Sequence, residues 1–90
     1  MTDGELMEFV TEFREGILDA RSSDMMCFMV CAPLVTFLRM HGVNAEMVEI
    51  EHDGGNHVWL RLDDGRVLDP TADQFGLPPV YLGEPQPFHI

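Results

Sequence analysis

The stretch NHVWLRLDDGRVLDP, residues 56–70, decides the fold of this chain. From residue 57 to residue 62, polar or aromatic side chains alternate with aliphatic ones, which predicts a β-strand with one aliphatic face. The polar run Asp63-Asp64-Gly65 then predicts a turn, and a second strand runs to Asp69. The chain therefore contains an antiparallel hairpin that begins near His57 and ends at Asp69.

The length of this turn determines which face of the hairpin Asp69 joins. Directly opposed residues of an antiparallel pair point to the same face, so a two-residue turn would separate Asp69 from His57. A three-residue loop at 63–65 instead pairs Trp59 with Asp69. It makes His57 and Asp69 diagonal neighbours on one face, with β-carbons about 7 Å apart or less. Gly65 is the last loop residue, where the left-handed conformation is needed, so the loop permits a His57–Asp69 pair.

Before the hairpin, residues 1–21 are predicted to form an N-terminal helix. Apolar residues recur there at helical spacing, and the opposite face is acidic. Thr2 followed by Glu5 has the pattern of a capping box, which places the helix start there. The run Ser22-Ser23-Asp24 then predicts a break and a new helix cap.

A second helix is predicted over residues 25–41, ending at Gly42 in the left-handed conformation. This segment is apolar nearly all round, which favours a buried central helix. Pro33 removes one helical hydrogen bond, at a cost on the order of 3 kcal/mol. Either the first turn is irregular or the helix kinks at this residue.

These elements predict an α+β domain that occupies residues 1–90. Two N-terminal helices pack on a small antiparallel sheet of about three strands, a meander over residues 45–71. Residues 77–90 form a Pro-rich tail that is too rich in proline for a central strand, and we expect it to lie over the site described below.

Composition excludes several classes of function. The chain of 90 residues has 16 acidic residues against five Arg and no Lys, a net charge of -11. This charge repels phosphates and anionic lipids, so neither nucleic acid nor membrane surface is an expected partner. No apolar run approaches the ~20 residues of a membrane span, and the acidic start is unlike a signal peptide, which predicts a cytoplasmic protein. Arg without Lys is typical of GC-rich bacterial or phage genomes.

Three residues could together perform acyl transfer through a thiol. Cys27 lies at a predicted helix start, where the helix dipole and unpaired N–H groups favour the thiolate. His57 opens a strand and could take the thiol proton, and Asp69 could fix the imidazole tautomer and stabilise the imidazolium. A metal site is not expected, because the spacing of His52, Asp53 and His57 matches no strong zinc pattern. No cofactor is expected either.

Two blocks resemble the transglutaminase-like (papain-like) cysteine enzymes. Residues 27–42, ending in Leu-Arg-Met-His-Gly, resemble the nucleophile helix of that superfamily. NHVWLRLDDGRVLDPTADQFG, residues 56–76, resembles the strand, turn and strand that carry its His and Asp, and is especially similar to small bacterial and phage members with a DPTADQF block. The resemblance implies that Cys27 is the nucleophile, His57 the base and Asp69 the orienting acid. The chain departs from it at Met25-Met26, where family members often carry a Gly.

Four further residues complete the candidate site. The backbone N–H of Cys27 and the side chain of Gln74 are the expected oxyanion donors, and Trp59 and Asn56 are expected to line the substrate pocket. Cys31 is the alternative nucleophile. If the regular helix began only after an irregular first turn, Cys31 would occupy its N-terminus instead of Cys27.

Three functions remain open from the sequence. The first is a cysteine protease, deamidase or transglutaminase acting on an amide or ester of a protein or peptide substrate, preferably basic or neutral. The second is a non-catalytic acidic binding or inhibitor protein with a basic protein partner, on a degenerate transglutaminase-like fold. The third is a homodimer in which the second copy completes the substrate groove.

Overall fold

The computed structural model describes residues 1–22, 26–52 and 55–89. Two helices precede four strands, and the α+β class predicted from the sequence is confirmed. The elements are helix α1 at Asp3–Leu18, helix α2 at Cys27–Met40, and strands β1 at Ala45–His52, β2 at Gly55–Leu62, β3 at Val67–Asp69 and β4 at Tyr81–Gly83. Short 3-10 helices at Ala72–Phe75 and Pro87–His89 follow β3 and β4 respectively. Most of the predicted break at Ser22-Ser23-Asp24 lies outside the described residues.

The four strands form one antiparallel sheet in chain order, β1-β2-β3-β4. Leu60 pairs with Leu68, and the N–H of Leu62 donates to the carbonyl oxygen of Arg66 at 2.9 Å. This register closes a loop of three residues, and Gly65 is left-handed with a φ of +88°. The predicted three-residue loop is therefore confirmed, and it sets Asp69 across from Trp59.

Strand β4 lies within the segment that the sequence predicted as a Pro-rich tail. It pairs with β3 through Leu68 with Leu82 and Asp69 with Tyr81. A three-residue strand at the edge of a sheet tolerates nearby prolines, since one side of it needs no ladder partner. The sheet thus has one strand more than the expected three, and the tail returns towards Asp69.

The core lies between the helices and one face of the sheet. Leu34 and Leu38 of α2 pack there with Val58, Leu60 and Leu68 of the sheet, and each is almost inaccessible to solvent. Helix α1 adds Leu6 and Val10 from its apolar stripe. Its predicted capping box is confirmed, because the Thr2 side chain accepts from the N–H of Glu5 and the Glu5 side chain accepts from that of Thr2.

Helix α2 begins at Cys27 and continues through Pro33 to Met40. The irregular first turn that would have favoured Cys31 is therefore not observed. Gly42, at a φ of +79°, follows the helix in the predicted left-handed conformation, and the N–H of Val43 donates to the carbonyl of Leu38 at 2.9 Å. In the part of the chain that the structure describes, neither helix is long and apolar enough to cross a membrane.

Candidate active site

The first turn of α2 lies against the first half of β2. The Sγ atom of Cys27 is 4.0 Å from the carbonyl oxygen of Asn56, and the Sγ atom of Cys31 is 3.5 Å from that of Val58. Strand β3 pairs with β2 only at Leu60 and Arg61, so the first half of β2, which contains His57, extends past the end of β3. This overhang leaves the start of α2 within reach of His57.

Cys27 is the first residue of α2, and its surroundings favour the thiolate. A hydrogen bond with His57 lowers the pKa of the Cys27 thiol, against the opposing effect of burial. The backbone N–H groups of Val58 and Phe28 lower the pKa further. The N-cap residue Met26 provides no side-chain cap, so the first N–H groups of the helix lack that partner next to the sulfur. Cys27 therefore combines a position at the helix N-terminus with a lowered thiol pKa.

His57 joins the thiol to a buried carboxylate. Its Nε2 atom is 2.6 Å from Oδ2 of Asp69, so Nδ1 is the ring nitrogen that remains available to Cys27. Burial alone would lower the pKa of His57, but the hydrogen bonds to Asp69 and Cys27 outweigh it and raise the pKa to about 9. The raised pKa of the imidazole and the lowered pKa of the thiol both favour transfer of the thiol proton from Cys27 to His57.

Asp69 is completely buried and receives several hydrogen bonds. Its Oδ1 accepts the backbone N–H of Thr71 at 3.0 Å and lies 3.5 Å from the Thr71 hydroxyl, so this oxygen shapes the turn after β3. Its Oδ2 accepts from His57 and, at 2.8 Å, from Nε2 of His89. Burial raises the pKa of Asp69, but the hydrogen bonds from the two histidines outweigh it and lower the pKa. The carboxylate therefore stays charged away from water.

A second histidine, His89, contacts Asp69, and no pattern in the sequence indicated this contact. His89 lies in the 3-10 helix after β4, is 5% exposed, and its Nδ1 accepts the backbone N–H of Gln86 at 3.0 Å. The only signal for it was a histidine at the end of a Pro-rich segment. No periodicity connects that position with Asp69, because the contact depends on the path of the tail.

Aromatic rings enclose the His57 imidazole on the face of the sheet opposite α1 and α2. Phe75 meets it edge-on, with ring centres 4.6 Å apart, and Trp59 stacks at 5.8 Å. Phe88 stacks on Phe75 at 4.3 Å, and His89 packs on Trp59 at 5.1 Å. Trp59, which was expected to line the substrate pocket, is thus part of a wall that keeps water from the His57–Asp69 hydrogen bond.

Cys31, the alternative nucleophile, lies one helical turn after Cys27 on α2 and is inside the core. Its side chain is completely buried, and burial, with smaller contributions from the charges of Asp69 and Cys27, raises the pKa of its thiol well above the ordinary value. Such a thiol stays protonated and unreactive. The geometry therefore favours Cys27 over Cys31.

The two polar residues expected at the pocket have other contacts. The Nε2 atom of Gln74 donates to the carbonyl of Thr71 at 3.2 Å, within the turn after β3. The exposed side chain of Asn56 donates to Glu49 of β1 at 3.1 Å, and it is the main chain of Asn56 that faces Cys27. The role of Gln74 as an oxyanion donor stays a prediction.

His57, Asp69 and His89 also place three potential ligand atoms within 4.8 Å of one another. The contacts of 2.6 and 2.8 Å between Oδ2 and the two imidazoles are hydrogen-bond lengths. Ligand atoms about 2.0–2.2 Å from a shared zinc ion lie more than about 3 Å apart. The spacing of this cluster therefore fits hydrogen bonds rather than shared zinc coordination. The side chain of His52 and the whole of Asp53, weighed as ligands above, lie outside the described residues.

Comparisons with protein-family models, with curated proteins and with solved structures give no match. The transglutaminase-like resemblance is thus neither supported nor opposed by them. The function proposed below rests on the geometry of Cys27, His57 and Asp69.

Proposed function

We propose that this protein is a thiol-dependent acyl-transfer enzyme of the transglutaminase-like kind, acting on an amide or ester through Cys27, His57 and Asp69. One observation carries the proposal. The first residue of α2 is a cysteine whose Sγ atom is 4.0 Å from the carbonyl oxygen of Asn56, and the residue that follows Asn56, His57, has its Nε2 atom 2.6 Å from a fully buried carboxylate. Nucleophile, base and orienting acid are joined in the order that thiol catalysis requires.

The chemistry follows from the contacts. The Cys27 thiolate attacks the carbonyl carbon and forms a tetrahedral oxyanion, which helix N–H groups at the start of α2 can stabilise. The His57 imidazolium then gives its Nδ1 proton to the leaving amine or alcohol, and a thioester remains on Cys27. Neutral His57 next takes a proton from water or from an acceptor amine, whose attack releases the acyl group and restores the thiolate–imidazolium pair. Asp69 keeps the Nε2 proton on His57 throughout.

The surface around the site suits a protein or peptide substrate. Phe28 and Met29 follow the nucleophile directly and are 55% and 57% exposed, which offers apolar contacts beside the sulfur. Elsewhere the chain is strongly acidic, with a net charge of -11, so basic or neutral substrates are preferred to anionic ones. A reactive thiol that must stay reduced suits a cytoplasmic location.

An activated ester tests the proposal without knowledge of the natural substrate. Incubation with p-nitrophenyl acetate should acetylate Cys27, as peptide mass spectrometry would show, and release p-nitrophenol over several turnovers. The comparison variants are Cys27→Ala, Cys31→Ala and His57→Gln. We expect turnover to survive only in Cys31→Ala, because His57 must also remove the proton from the water that hydrolyses the thioester.

The proposal is wrong if native protein reacts no faster than a guanidinium-unfolded sample at the same pH. Equal rates would mean that the fold gives the thiol no activation. Loss of turnover in Cys31→Ala, with Cys27 still unacetylated in the wild type, would transfer the role of nucleophile to Cys31.

One observation favours the second function, a non-catalytic acidic binding protein. Cys27 is only 7% exposed and His57 only 2%, so little of the triad reaches solvent. The outer face of α1 meanwhile presents exposed carboxylates to a basic partner, among them Glu8, Glu12 and Asp19. A chain of this kind would show the inert behaviour just described, and it would be retained on an immobilised polycation in a salt-dependent manner.

A further inference from the structure

One carboxylate oxygen of the candidate site has two imidazole partners. Oδ2 of Asp69 is 2.6 Å from Nε2 of His57 and 2.8 Å from Nε2 of His89, and all three side chains are buried. Catalysis by the triad uses only the first of these contacts. The second comes from the tail, through the 3-10 helix Pro87–His89, and has no role in the mechanism above.

The hydrogen-bond pattern fixes the proton on His89. Its Nδ1 faces the backbone N–H of Gln86 at 3.0 Å, and a backbone N–H can only donate, so Nδ1 must accept. The proton of neutral His89 is therefore on Nε2 and is donated to Asp69. His89 needs no positive charge for this contact, unlike His57, which becomes charged when it takes the thiol proton.

We propose that His89 is a positioning residue of the triad, which holds Oδ2 of Asp69 at the place from which this atom accepts the His57 N–H. The inference rests on the proposed function. Oδ1 is held by Thr71 in the turn after β3, so His89 supplies the second fixed point that prevents rotation of the carboxylate. The ring of His89 also stacks on that of His57, with centres 5.9 Å apart and an interplanar angle of 29°, and limits tilting of the imidazole.

Few other ionisable groups surround this cluster. Cys27 and Cys31 approach from α2, His57 from β2 and Tyr81 from β4, where the Tyr81 ring stacks on His89 at 5.9 Å. Apart from the backbone N–H of Thr71 in the turn, His57 and His89 are the described groups that lower the pKa of Asp69. Removal of the His89 donor leaves Oδ2 of Asp69 held by His57 alone, so the carboxylate can rotate away from the position at which it accepts the His57 N–H, and its contact with the imidazolium weakens.

The test is the pH dependence of Cys27 alkylation by iodoacetamide between pH 4 and 9, read by peptide mass spectrometry. His89→Phe keeps an aromatic ring but removes the donor, and His89→Gln keeps an N–H donor. We expect His89→Phe to raise the apparent pKa of Cys27 by about one unit, so that labelling at pH 6 slows by about tenfold. His89→Gln should recover most of the wild-type profile.

His41→Phe is the matched control, because it makes the same change at an exposed histidine after α2. Its profile should equal that of the wild type. A His89→Phe profile identical to the wild type, while Cys27 of the wild type shows a lowered pKa, would reduce His89 to a packing residue and overturn the inference. A wild type without a lowered Cys27 pKa would instead overturn the proposed function.

A second measurement needs no variant and so survives a failure of His89→Phe to fold. Long-range nitrogen–proton NMR correlation of the wild-type histidines reports which ring nitrogen carries the proton. We expect His89 to be in the Nε2–H form, with an exchange-protected Nε2 proton. An Nδ1–H form, or rapid exchange of that proton with water, would show that His89 does not hold Asp69.

Discussion

Cys27 and Cys31 lie one turn apart on the same helix, and both sulfurs face carbonyl oxygens of β2, yet their surroundings shift the pKa values of the two thiols in opposite directions. Cys27 has a lowered pKa from its hydrogen bond with His57, whereas burial raises that of Cys31. Only Cys27 is in the first turn, where N–H groups lack helical partners. The difference shows that a thiol is activated by its position on the helix and by a base, and that shielding from water alone makes it inert.

Alkylation should separate the reactivities of Cys27 and Cys31 more strongly than any other experiment proposed for this protein. At pH 6, we expect iodoacetamide to alkylate Cys27 at least about a thousandfold faster than Cys31, because only the thiolate reacts and Cys31 remains protonated and buried. Peptide mass spectrometry after a time course gives both rates from one sample. Comparable rates would contradict the expected difference in reactivity between the two cysteines, and would mean that α2 opens readily at its first turn.

A smaller effect is expected from Asp69→Asn, which preserves shape but removes the charge. The new amide can donate to Nε2 of His57, which moves the ring proton to Nδ1 and leaves no base facing Cys27. Turnover of p-nitrophenyl acetate should fall by about a hundredfold or more. Circular dichroism would show whether the variant is folded, and a folded variant with unchanged turnover would show that Asp69 serves only the turn.

The smallest effect concerns stability and isolates His57 from the thiol. In Cys27→Ser, Asp69 still raises the folded-state pKa of His57 above its ordinary value of 6.5, towards the value of about 9 in the wild type. The resulting stabilisation is fully present below pH 6.5 and is lost as the pH rises towards 9. The free energy of unfolding by urea should fall by about 2 kcal/mol over that range.

Asp69→Asn in the Cys27→Ser background is the control for this measurement. It removes the charge that raises the pKa, so the stability should become nearly independent of pH over the same window. A slope that persists in the double variant would assign it to another group.

Local patterns were enough to predict much of this molecule. The capping box, the left-handed Gly42 and the three-residue loop each depend on a few neighbouring residues, and each is observed. Because an antiparallel register follows from loop length, the contact of His57 with Asp69 could also be derived. The catalytic roles of these residues stay a proposal.

Contacts that depend on tertiary structure could not be derived. The choice between Cys27 and Cys31 required the actual start of α2, since a proline inside a helix leaves the first turn undetermined. His89 reaches Asp69 only because β4 pairs with β3 and turns the tail back, and no periodicity marks a three-residue edge strand. The burial of Arg14, which donates to Asp73 at 3.1 Å, was not predicted either, although Arg14 shares the buried stripe of α1 with Val10 and Leu18.

The three-residue loop between β2 and β3 also bears on how this protein can change in evolution. Its residues Asp63 and Asp64 are exposed, and their side chains accept hydrogen bonds only at the rim of the sheet, from Asn44 and Arg66 among the described residues. An insertion or deletion of one residue would shift the pairing by one and turn Asp69 to the other face, among the leucines of the core. Descendants that keep the chemistry should therefore vary in the composition of this loop and remain constant in its length.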